Sequence, residues 1–217
     1  MSRDSQAALA LAVGSAAILI TMAFHPTGAD MVQGPSAHLQ ASLGRFVHAL
    51  AIGAMPLLTT GMLAVAWRLR HQAVLSLTGT VSYLLAVVAI MIAAATSGFI
   101  ASAVAERLVS AAGSDRELFL QQLHYTGTIN QAFAKVFVGL TSMAFLFWSL
   151  AMRAHGRFPR GLWLLGIIVS AAQGLGMASG HLRLDVQGFG AVVVAQSVWM
   201  LWTAWTLRHP DVPHVDL

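Results

Sequence analysis

Read along the chain, apolar residues gather into six long stretches: 7–24, 46–67, 73–96, 132–152, 161–178 and 189–207. A bilayer core asks for about 20 predominantly apolar residues per helix, and each stretch meets that requirement. The pattern predicts an all-α fold, a polytopic membrane protein in which residues 1–217 form one integral domain of six transmembrane helices. The first stretch also has the length of a cleaved leader. Its flank offers only Arg3 against Asp4, and no convincing cleavage site follows, so it counts as a span.

The breaks between the stretches are unequal. Residues 68–72 and 153–160 make tight turns, whereas 26–45 and 97–131 are long enough to carry function or elements of their own. Within the second long break, residues 99–112 and 115–125 both show helical apolar spacing, interrupted at Gly113-Ser114. Asp115 suits the N-cap of the second segment. The expectation is two short surface helices between spans three and four. The pair of spans two and three resembles the pair of spans four and five only in outline, and no firm repeat emerges.

Composition agrees with this reading. Hydrophobic residues make up 57% of the chain and charged residues 9%, with a mean hydropathy of +0.72. A soluble domain carries roughly 25% charged residues, and a disordered chain is poor in apolar ones. Both classes are excluded. Cysteine is absent, which removes disulfides, thiolate zinc sites, iron–sulfur clusters and cysteine nucleophiles together. The basic pI of about 10.7 is no nucleic-acid signal, because the net charge is only +4 and the arginines are scattered between apolar segments.

Those arginines indicate topology instead. One side would hold Arg3, Arg68, Arg70, Arg153, Arg157, Arg160 and Arg208, and its two tight turns contain no acid. The other side would hold Arg45, Arg107, Arg116, Lys135 and Arg183, balanced by Asp30, Glu106, Asp115, Glu117 and Asp185. The sequence therefore reads as a small bacterial-type, multi-pass inner-membrane protein with both termini cytoplasmic. Its partner is the lipid bilayer, with room for other membrane subunits or a homo-oligomer and none for nucleic acid.

The histidines carry the candidate chemistry. His25, His38, His48, His124 and His181 fall on the outer, periplasmic side, several of them at helix ends. Helical spacing puts Met22 with His25 on one face, His48 with Met55 on another, and Gln173, Met177 and His181 on a third. Asp30 follows His25, Asp185 follows His181, and Lys135 lies one turn into span four after Asn130-Gln131. The expectation is that His25, His48, His124 and His181 converge at the outer mouth of the bundle. Asp30 and Asp185 would be ligands or partners there, with Gln173, Lys135, Met22 and Met177 as supporting groups.

Imidazole binds Zn, Cu or Fe, thioether favours Cu(I), and two helix-borne imidazoles suit a b-type haem. The same residues also have a plain structural reading as helix ends, interfacial ion balance and gap-filling methionine. Three classes stay open. A metal-ion or haem b protein, with oxidoreductase or electron-transfer chemistry, ranks first. A structural or accessory subunit follows, then a small-solute transporter, against which counts the lack of any carboxylate deep in a span. No P-loop, H-E-x-x-H, G-x-S-x-G or dinucleotide fingerprint occurs. A catalytic residue is not assignable from the sequence.

Overall fold

The computed structural model describes residues 2–26 and 37–209, and among them every regular element is helical. These are α1 (Arg3–Ala23), α2 (Ala37–Arg68), α3 (Ala73–Ala95), α4 (Ser102–Ser110), α5 (Gly113–His155), α6 (Arg160–Ala178) and α7 (Val186–Arg208). A π-helical turn, Thr96–Ala101, carries α3 directly into α4. With α3 and α4 taken as one rod, six helices are long and apolar enough to cross a membrane. The chain is a six-helix membrane bundle, as its hydrophobic pattern implies.

The helices reach further than the apolar stretches. At 1.5 Å per residue, the 43 residues of α5 run for about 64 Å, twice the roughly 30 Å of a hydrocarbon core. The stretch at 132–152 is therefore the apolar part of a longer rod, and 46–67 is likewise the later part of α2. Residues 99–110 and 115–125 are helical, with the break at Ala111 and Ala112, but they continue the flanking spans rather than lie apart from them. The N-cap is also placed differently. Helix α5 opens at Gly113 after Ala112, so Asp115 sits in the first turn, where its charge complements the helix dipole.

Each helix packs on its neighbours in a closed circuit: α1 on α2, α2 on α3, α3 on α5, α5 on α6, α6 on α7, and α7 back on α1. Leu11, Met62, Phe145, Trp148 and Trp199 fill the centre, none more than 1% exposed. Close approach of α1 and α2 depends on two glycines. A Cβ on Gly14 would fall 2.8 Å from Leu58 Cγ, and one on Gly61 would fall 2.7 Å from Leu11 Cβ. Each glycine is thus the socket for a leucine of the facing helix, a small-residue interface of the kind membrane helices use.

Many buried hydroxyls bond back to carbonyls of their own helices, as a medium without water favours. Thr141 donates to the Phe137 carbonyl, Ser142 to that of Val138, and Thr203 to that of Trp199. The three tryptophans of α7, Trp199, Trp202 and Trp205, differ in their surroundings. Trp205 is exposed, but Trp199 turns inward and its indole N–H donates to the Leu162 carbonyl at 3.1 Å. One end of the bundle is marked by Arg68, which pairs with Asp4 at 2.6 Å and so ties the end of α2 to the start of α1. The opposite end carries His25 and His48.

Candidate functional site

At the histidine end, α1 stops at Ala23, and the chain passes through His25 to a buried Pro26. Proline disfavours helix in the residue before it, which frees His25 from α1 and lets its ring turn toward α2. His48 stands on the inward face of α2 and is 7% exposed. The two imidazoles meet edge to face, with ring centroids 4.8 Å apart and Nε2 to Nε2 at 3.2 Å.

The far nitrogen of each ring is fixed by a backbone carbonyl. His25 Nδ1–H donates to the Pro26 carbonyl at 2.8 Å, and His48 Nδ1–H donates to that of Gly44 at 2.7 Å. A carbonyl only accepts, so both Nδ1 atoms carry hydrogen. Burial holds the His25 imidazole below its ordinary pKa, opposed by the pull of the Pro26 carbonyl.

The third wall is the π-helical turn. Gly98 lies directly against His48, and a Cβ there would come within 2.6 Å of His48 Cγ. No side chain other than hydrogen fits. Single π-helical turns often occur where a helix serves a site, because the extra residue re-aims the backbone. The Thr-Ser-Gly run at 96–98, inside an otherwise apolar stretch, is the sequence signal for this wall. Pattern reading alone takes it for the end of a span.

Beside the histidine pair opens a cavity of about 590 Å³ between α1, α2, α3, α5 and α7. Its walls are largely apolar, including Ile18, Met55, Ile90, Leu123 and Phe137. Polar groups on its lining are few: the two histidines, Thr21, Ser97, Thr126, Asn130, Gln131 and Asp185. Gln131 donates to the Leu184 carbonyl at 2.8 Å and pins the approach to α7 onto α5. Asp185 caps α7, its carboxylate accepting from the Gly188 N–H at 2.8 Å. Met22 also lines the cavity.

The four-histidine convergence expected from the sequence does not form. His181 is exposed and bonds to Ser179. The left-handed Gly180 reverses the chain after α6, so the Leu182 N–H reaches back to the Gly176 carbonyl at 2.8 Å. Helix α6 moreover stands across the circuit from α2. His124 is exposed on α5, and since α5 is continuous there is no loop to fold it over the mouth. Lys135 is exposed on the same helix, outside the cavity lining.

Met177 packs against the small cluster of Ala134, Val138, Leu184 and Val192. Gln173 belongs to a different polar group, where its side-chain oxygen accepts from Gln196 at 3.0 Å and from Ser142 at 3.3 Å. Asp30 lies outside the described residues. Among the described residues, no three His, Asp or Glu side chains come together as a metal site.

No family model matches this chain, and neither a curated protein nor a solved structure proves similar to it.

Proposed function

We propose that this membrane protein binds an amphipathic small molecule, with the apolar body in the cavity between α1, α2, α3, α5 and α7 and the polar end at the His25–His48 pair. The observation that carries this reading is the cavity itself. Ligand sites occupy roughly 300–1,000 Å³, lined mainly by apolar side chains with a few placed polar groups, and this one has that size and that lining. A dry structural subunit would fill such a volume with side chains, because interiors pack to crystal-like density. A solute transporter would need a polar path onward, yet the buried Gln173–Gln196 group sits apart between α5, α6 and α7.

Haem is not part of the proposal. The two Nε2 atoms close on each other at 3.2 Å and leave no gap for a porphyrin plane between them.

The test is ligand retention. Native mass spectrometry of the purified full-length protein should show an amphiphile adduct, identified after denaturing extraction. Ala51→Phe, which places a ring in the cavity, should remove the adduct while the protein stays monodisperse and helical. Equal retention by wild type and Ala51→Phe, or none by either, overturns the reading.

A further inference from the structure

The histidine pair poses a counting problem. Its two rings make three contacts: Nδ1 of His25 to Pro26, Nδ1 of His48 to Gly44, and Nε2 to Nε2. Each contact needs one positive centre between two lone pairs. Two neutral imidazoles supply two hydrogens, not three. With both hydrogens committed to the carbonyls, two bare Nε2 lone pairs face each other at 3.2 Å. Moving one hydrogen to the centre only relocates the conflict to a carbonyl 2.7 or 2.8 Å from a bare Nδ1.

We propose that the third contact is made by one d-block metal cation held between Nε2 of His25 and Nε2 of His48. The geometry suits such an ion. With metal–nitrogen bonds of about 2.0–2.1 Å, a 3.2 Å separation subtends about 100–106°, close to tetrahedral. The support behind the ligands suits it as well. A ligating histidine characteristically donates its other N–H to a carbonyl or carboxylate, which fixes the tautomer and raises its basicity, and both rings do so here. A third proton on the pair would satisfy the same count, and the experiment below separates it from a metal ion.

Two protein nitrogens leave the remaining coordination positions open. Met22 and Met55 line the adjoining cavity and offer thioether sulfur, which favours Cu(I), whereas a Zn(II) ion would complete its set with water or with the polar end of the cavity ligand. The inference rests on the same cavity as the function proposed above. It assigns that site a metal-bound end.

The experiment uses full-length protein in detergent, stripped with a chelator. It is titrated separately with Co(II) as a spectroscopic stand-in for Zn(II), and with Cu(I) under anaerobic conditions against a competing chelator. Wild type should take up one equivalent of one of these ions. His25→Ala and His48→Ala should lose it, whereas His181→Ala and His124→Ala, which alter exposed imidazoles, should retain it. Because His48→Ala opens space beside Gly98, helicity and monodispersity of each variant are measured alongside.

Uptake by wild type no greater than by His25→Ala overturns the proposal. So does imidazole ¹⁵N NMR showing a third proton on the pair with no metal bound. Metal uptake that persists in Ala51→Phe, without any amphiphile in wild type, would sink the ligand reading alone. Amphiphile without metal would sink only this one.

Discussion

Gly98→Ala is the smallest change that tests whether the π-helical turn is a wall of the histidine site. The added methyl would fall 2.6 Å from His48 Cγ, where carbon atoms ordinarily rest about 3.5–4.0 Å apart. His48 Cβ lies closer still, so rotating the ring gives no relief, and either α2 at His48 or the turn must move by about 1 Å or more. Neither moves freely. His48 is held to the Gly44 carbonyl at 2.7 Å, and the turn is continuous with α3 and α4. Overpacking of this kind costs about 1–3 kcal/mol, against about 0.5–1 kcal/mol gained by replacing glycine with alanine in a helix. The steric term wins.

The expected result is a lower thermal midpoint in detergent together with loss of the one-equivalent metal uptake, since a 1 Å shift is a third of the nitrogen separation. Gly139→Ala is the control, because a Cβ there meets nothing within 4 Å. Matching midpoints and matching metal uptake for Gly98→Ala and Gly139→Ala would refute the argument.

Two further substitutions test the packing that holds the site in place. Gly61→Ala sets a methyl 2.7 Å from Leu11 Cβ and 3.2 Å from the Ala7 carbonyl, atoms too close to the backbone to swing aside. Thermal unfolding should show a loss of about 1–3 kcal/mol, and an unchanged midpoint would mean that α1 and α2 are not in the contact described. Gln196→Leu strips the Gln173 oxygen of one donor and should cost about 1–3 kcal/mol, because Gln173 stays buried and polar. The double variant Gln173→Leu/Gln196→Leu should recover most of that loss, and a strictly additive pair would show that the two amides do not interact.

Much of this molecule is legible without coordinates. Six apolar stretches fix six spans, because a bilayer leaves a long apolar segment no alternative to a helix. The meeting of His25 with His48 is legible too: consecutive antiparallel spans must bring the end of one near the start of the next. Helical spacing in 99–125 also survives as helix. What periodicity does not encode is where one rod stops, and so α5 begins long before residue 132.

The histidine set was decided by tertiary structure. His181 and His124 satisfy the same rules of depth and side as His25 and His48, yet neither reaches the cavity. Depth along a helix follows from local sequence, but azimuth and neighbour follow from which helices pack together. That order depends on sockets such as Gly14 for Leu58 and Gly61 for Leu11, which are contacts between distant residues. It places α6 across the bundle from α2 and turns Gly98 toward His48. The sequence by itself determined a six-span helical bundle with five of its nine histidines toward one end. Only the packing of side chains between helices, a long-range property with no local periodicity, selected two of those histidines and opened a cavity beside them.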